Sequence, residues 1–168
     1  KAIEKDPNWT AAIFDKAVTY EREIDDNLHV EVGGQWCDYQ LSFAVSKNLS
    51  LLQISCAYDI RIPDDKLEKV YPLLAKLNER MLIGHFEVWD KDGWPMYRHT
   101  LPVPEDRYVW IKQVEDISLS SIKECDRFYP AFQHVAWGGR DANDAITYIN
   151  DKKRKIRIWE TLITNADE

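Results

Sequence analysis

Residues 28–62 read LHVEVGGQWCDYQLSFAVSKNLSLLQISCAYDIRI, and the apolar positions recur with a period of two. Leu28, Val30 and Val32 alternate with His29 and Glu31, and Cys37, Tyr39, Leu41, Phe43 and Val45 alternate with Trp36, Asp38, Gln40 and Ser42. The turn residues Ser46-Lys47-Asn48 follow. Beyond them Leu52, Ile54, Cys56, Tyr58, Ile60 and Ile62 face one way, and Gln53, Ser55, Asp59 and Arg61 the other. Successive side chains of a strand point to opposite faces, so the pattern predicts half-buried strands joined in an antiparallel meander with one wet face. Gly33-Gly34, between two of the strands, is expected to form a tight hairpin turn using positive φ, not a phosphate loop.

Upstream, Asp6-Pro7 predicts the start of a short N-terminal helix, because Asp caps free N–H groups and Pro suits the first helical position; Trp9, Ile13, Phe14 and Ala17 would line it. Downstream, Asp65 and Glu68 form a capping-box-like start to a helix carrying Leu67, Val70, Tyr71, Leu74, Leu77 and Met81, with Pro72 inside it as the expected site of a kink. A hairpin is predicted next, with Phe86 and Val88, the turn Asp90-Lys91-Asp92-Gly93, then Tyr97 and Leu101. After Pro102 and Pro104 a long helical pattern runs through Ile111, Val114, Ile117, Ile122, Cys125, Tyr129, Phe132 and Val135, bent at Pro130 and stopped by Gly138-Gly139. A last helix is expected from near Asp141, carrying Ala145, Ile149, Ile156 and Leu162. The fold class is therefore α+β: an antiparallel sheet with helices packed on one face. No repeat, linker or low-complexity tract interrupts the chain, so residues 1–168 read as a single domain with a basic C-terminal helical extension from about residue 146.

The composition suits such a domain. Of 168 residues, 45% are apolar, and 7 Trp, 8 Tyr and 5 Phe provide large buried areas. A chain of this length buries roughly 70% of the surface it exposes when unfolded. The net charge of -7 repels phosphate backbones and anionic headgroups, which argues against nucleic acid or a membrane as the main partner. There is no run of about 18 apolar residues, and Lys1 to Asp6 is polar, without a signal-peptide apolar region. Cys37, Cys56 and Cys125 fit neither a disulfide framework nor a zinc ribbon, so a cytoplasmic location is expected.

No catalytic, cofactor-binding or metal site emerges. G-x-S-x-G, H-E-x-x-H, Walker A and G-x-G-x-x-G patterns are absent from the sequence. His85 and His99 fall on neighbouring strands, but the alternation points them to opposite faces, so they are read as structural or surface histidines. Cys37 and Cys56 on the apolar strand face, and Cys125 on the apolar helix stripe, read as small hydrophobes and not as nucleophiles. Asp25-Asp26 and Asp64-Asp65 sit where Asp caps helices and turns. The basic run Lys152-Lys153-Arg154-Lys155, with Arg157, reads as a solvated face, with contact to an acidic partner as the alternative.

Three stretches resemble the YbjN-like family: Trp36-Cys37-Asp38-Tyr39, Asn78 to Phe86 (NERMLIGHF), and Cys125 to Phe132 (CDRFYPAF), with Trp137-Gly138-Gly139 completing the pattern. The resemblance spans roughly Asp15 to Ala145. It implies a bacterial sensory transduction regulator with a fold similar to type III secretion chaperones, which are commonly dimers that bind extended protein segments. The family supplies no catalytic residues to transfer. Pro72 and the long basic segment after Ile149 depart from its pattern.

Aromatics on the less apolar strand faces mark the candidate surface: Trp36 beside Asp38 and Gln40, and Trp89 with Trp94 and Met96 around the hairpin. The expected function is a non-enzymatic protein-interaction module with a regulatory or chaperone-like role, a homodimer that binds a protein partner. The alternative is a small-ligand sensor or enzyme with a site between sheet and long helix, lined by His99, Tyr97 and Tyr129; a structural subunit is a third reading.

Overall fold

The structure is a computed structural model and describes residues 17–22, 27–46, 48–89, 91–103 and 111–151. Its strands are β1 (Ala17–Arg22), β2 (Leu28–Gly33), β3 (Asp38–Ser46), β4 (Leu51–Tyr58), β5 (His85–Val88) and β6 (Pro95–Pro102). Its helices are α1 (Leu67–Asn78), α2 (Ile111–Ala136) and a short α3 over 142–151. The six strands form one sheet in the order β1-β2-β3-β4-β6-β5, with every neighbouring pair antiparallel. The chain divides into two compact units, the first made of residues 1–62 and 81–126 and the second of residues 63–80 and 127–168.

The first unit holds the whole sheet. On its inner face Val30, Leu41, Cys56, Tyr97 and Phe86 lie in register across five strands, each no more than 1% exposed. Beside them runs an aromatic ladder. Tyr39 meets Tyr58 edge-on with ring centres 5.7 Å apart, Tyr58 stacks on Phe86 at 6.4 Å, and Phe86 meets Tyr97 edge-on at 5.7 Å. Offset and edge-to-face pairs of this kind add to the free energy gained by burying the rings. The first half of α2 is joined to this face by hydrogen bonds: the Tyr58 hydroxyl donates to the Cys125 carbonyl at 3.0 Å, and the Cys125 thiol donates to the Cys56 carbonyl at 3.6 Å. Burial pushes both the Tyr58 hydroxyl and the Cys125 thiol well above their ordinary pKa values, so neither is an activated nucleophile.

In the second unit α1 buries Leu67, Val70, Leu73 and Leu77 and carries Pro72 within it. The predicted face is rotated, since Tyr71 is exposed, Leu73 takes a core place, and Met81 lies beyond the helix end. The expected Asp65–Glu68 cap is also corrected. Asp64–Lys66 forms a 3-10 turn, α1 begins at Leu67, and no side chain caps it. The glycine stop of α2 is present: Gly138 N–H donates to the Gln133 carbonyl at 3.0 Å, Arg140 N–H donates to His134 at 3.1 Å, and Gly139 has φ +66°. Asp141 then caps α3, its carboxylate accepting the Asp144 N–H at 2.9 Å, and His134 packs edge-on against Tyr148 at 4.3 Å.

Two further expectations change. Ala17 opens β1 and does not end a helix, because Ala17–Arg22 is drawn into register with Val32–Leu28; the remainder of the predicted N-terminal helix and the basic run 152–157 lie outside the described residues. Gly33 and Gly34 do not use positive φ. Gly34 is needed for close approach instead: a Cβ there would sit 2.1 Å from the Tyr39 ring and 2.6 Å from the Cys37 carbonyl, to which Gly34 N–H donates at 3.1 Å. The 85–102 hairpin turns as predicted, with Gly93 at φ +67°.

Candidate protein-binding surface

The predicted surface residues gather at one end of the sheet, where β2 turns into β3 and β4 runs out toward Ile62. Gln40 sits in the outward row formed by Glu31, Gln40, Ala57, Met96 and Glu87, and Asp38 begins β3 one step further along. Trp94 precedes β6 and reaches the same place. Asp38, Gln40 and Trp94, together with Glu31, Tyr39, Tyr58 and Asp59, line a recess of about 150 Å³. Its rim carries three carboxylates: Glu31, Asp38 and Asp59. Close by, burial pushes the Cys37 thiol up; a hydrogen bond from the Asp59 main chain opposes this, and the charges of Asp59 and Asp38 add to it. The recess therefore sets the exposed Trp94 beside three carboxylates, a chemistry that favours cationic groups over anions.

Trp36 stands just outside the recess, in the 34–37 turn, and is 42% exposed. Its indole N–H donates to the main-chain carbonyl of Asp126 at 2.9 Å. The carboxylate of Asp126 accepts two more bonds, from the Gln35 N–H at 2.7 Å and from the Tyr39 hydroxyl at 2.6 Å. Burial, followed by the bond to Asp126, holds the Tyr39 hydroxyl far above its ordinary pKa, so it acts as a fixed donor. Trp89 lies across the hairpin from Trp94, to whose carbonyl its N–H donates at 3.2 Å, and its exposed indole donates to Glu87 at 3.1 Å.

Met96 must be removed from the predicted surface: it is only 4% exposed. It faces outward as the alternation requires, but β6 is flanked by β4 and β5, and Met96 lies in register between Ala57 and Glu87, with a neighbour on each side. The structure thus brings Asp38, Gln40 and Trp94 together, leaves Trp36 and Trp89 exposed at the same end of the sheet, and buries Met96. Asp126 was missed. It lies in the Cys125–Phe132 stretch that carries the family resemblance, and nothing in the sequence signals that a turn some 90 residues earlier folds back onto it.

His85 and His99 do lie on opposite faces: His85 is in register with Arg98, whose alternate neighbour is His99. Glu87 accepts from Arg98 at 2.7 Å and faces His85 at 3.6 Å. Among the described residues no cluster of three or more His, Cys, Asp or Glu side chains has a metal-holding arrangement, and no helix is long and apolar enough to cross a membrane. For the alternative site, the Tyr97 ring is fully buried and its hydroxyl donates to the Ile83 carbonyl at 2.9 Å, with burial pushing its pKa up to about 12. Tyr129 belongs to the second unit.

Comparison with curated proteins gives no match. Among solved structures, the chain is similar to YbjN of E. coli, described there as "a putative transcription regulator", with a TM-score of 0.50 and 9% identity over 71% of this chain and 82% of that one. At that identity the likeness concerns the fold. A family model described as "Putative bacterial sensory transduction regulator" matches residues 10–134, a range that includes the stretches at 36–39, 78–86 and 125–132 and stops short of Trp137-Gly138-Gly139. With well over half of its length matched by that model and its sheet and helices following the fold of a solved member, the chain belongs to the YbjN family.

Proposed function

We propose that the protein is a non-enzymatic regulatory module of a bacterial cytoplasm that works by holding a segment of a partner protein, in the manner of a chaperone, and that it pairs with a second copy of itself. The observation that carries this reading is the set of Trp36, Trp89 and Trp94, which keep 42%, 49% and 38% of their surface exposed at one end of the sheet, with Trp94 lining an acidic recess. Tryptophan is costly to leave in water and is enriched at the energetic centres of protein interfaces. The net charge of -7 and the carboxylates of the rim direct the choice of partner away from nucleic acid and toward a protein segment with basic residues.

The test is a peptide-library selection on the wild-type protein and on the triple variant Trp36→Ser/Trp89→Ser/Trp94→Ser, with sedimentation and circular dichroism on both. The expected result is a related set of peptides enriched on wild type and lost on a folded triple variant. Enrichment untouched by the triple change would remove this surface from the function. An unfolded triple variant would place the three rings in the core. A wild-type monomer at high concentration would dispose of the pairing with a second copy.

A further inference from the structure

The same end of the sheet carries a device that fixes one of its aromatics. Three hydrogen bonds converge on Asp126 of α2 from the turn between β2 and β3 and from the start of β3: Gln35 N–H and the Tyr39 hydroxyl reach Oδ1 at 2.7 and 2.6 Å, and the Trp36 indole reaches the main-chain oxygen at 2.9 Å. Tyr39 is 1% exposed and belongs to the aromatic ladder, so one end of this arrangement is anchored in the core. Bonds to an ionised acceptor are stronger than those between neutral groups, and two donors sharing one carboxylate oxygen fix the turn from both sides of Trp36. A loop already fixed in its bound shape loses less entropy when it docks.

We propose that Asp126 is the positioning residue of this surface: its carboxylate holds the 34–37 turn so that Trp36 meets a partner protein in one orientation. The inference rests on the reading of Trp36 as an interaction residue, but the positioning itself is measurable without a partner. Asp126→Ala removes the shared acceptor and leaves the main-chain oxygen under the indole. Asp126→Asn keeps an oxygen where both donors meet and is the conservative rescue.

The experiment uses the full chain labelled with fluorotryptophan. The seven tryptophans give seven fluorine lines, and the Trp36 line is the one lost in Trp36→Phe. Asp126→Ala is expected to shift the Trp36 line and increase its response to solvent isotope, while Asp126→Asn restores both. The Kd of peptides selected on wild type should rise about tenfold in Asp126→Ala and stay within about twofold in Asp126→Asn. A Trp36 line unchanged in Asp126→Ala overturns the positioning role, and so does a displaced line with unchanged affinity. Unchanged peptide affinity in Trp36→Ser instead defeats the interaction reading, whatever the line does. Should Asp126→Ala fail to fold because it strands the Tyr39 hydroxyl, the double variant Tyr39→Phe/Asp126→Ala removes that hydroxyl and must still displace the Trp36 line.

Discussion

On the inner face of the sheet the row Val30, Leu41, Cys56, Tyr97 and Phe86 is closed to solvent, whereas one residue along the same strands the outer row His29, Ser42, Ser55, Arg98 and His85 is polar and half-buried. The inner row is held by area and ring geometry. The outer one is held by directed bonds: His29 Nδ1 lies 2.8 Å from Ser42 Oγ, and Arg98 lies 2.7 Å from Glu87. Stability should therefore reside on one face, while substitutions on the other should cost little. Along one outward row the face changes again, from buried Ala57 and Met96 on β4 and β6 to exposed Glu31 and Gln40 on β2 and β3. Position in the sheet, as well as facing direction, decides what is open to solvent.

The strongest test of this contrast is Phe86→Ala, which removes the ring stacked on Tyr58 and edge-on to Tyr97. A loss of about 3–5 kcal/mol is expected from urea unfolding. A loss under about 1 kcal/mol would mean that the inner face is not the stabilising one. Gly84→Ala comes next. Gly84 has φ +67°, and an added Cβ would lie 2.1 Å from the Tyr97 hydroxyl, the group that bonds the Ile83 carbonyl. Backbone strain and the displaced ring should together cost about 1–3 kcal/mol, read from the same unfolding curves.

On the outer face the effects should be smaller. A double-mutant cycle on Glu87→Gln and Arg98→Gln, whose side chains are 21% and 31% exposed, should give a coupling of about 0.2–1 kcal/mol that shrinks in high salt. A coupling of several kcal/mol would make the outer face as important to stability as the inner one.

The smallest effect expected is a pH dependence at His99, which burial first and the nearby His85 second hold below the ordinary value of 6.5. Because its folded pKa is the lower one, the unfolded chain takes up the proton first. Its contribution is intact above pH 6.5 and is lost as pH falls through the folded pKa. Urea midpoints taken above and below pH 6.5 should therefore fall more for wild type than for His99→Gln. Equal slopes would show that His99 is as well solvated folded as unfolded.

Alternation was enough to find β2, β3 and β4 and to sort Tyr39, Leu41, Phe43, Ile54 and Cys56 onto the buried face, because the period of a strand is set by its own backbone. The hairpin turn at Gly93 and the glycine stop after α2 were legible for the same local reason. The N-terminal boundary of β1 was not: Ala17 fits the spacing of a helix, and only its pairing with Val32 makes it a strand residue. Of the candidate surface, Trp36, Asp38, Gln40, Trp89 and Trp94 are exposed, as their places off the apolar stripe predict. Met96 could not be sorted correctly, since the sequence gives facing direction and not what flanks a strand.

By itself the sequence determined an antiparallel α+β domain, its buried strand face, its punctuation and the family to which it belongs, all of which follow from local period, turn chemistry and characteristic runs of residues. The tertiary structure alone decided that β6 and not β5 lies beside β4, which puts Met96 between two neighbours and leaves β5 at the edge. It alone brought Asp126 to Gln35, Trp36 and Tyr39 across 87 to 91 residues of chain. Such contacts join segments whose sequences do not constrain one another locally; they exist because closing the hydrophobic core places the segments side by side and leaves their polar groups needing partners.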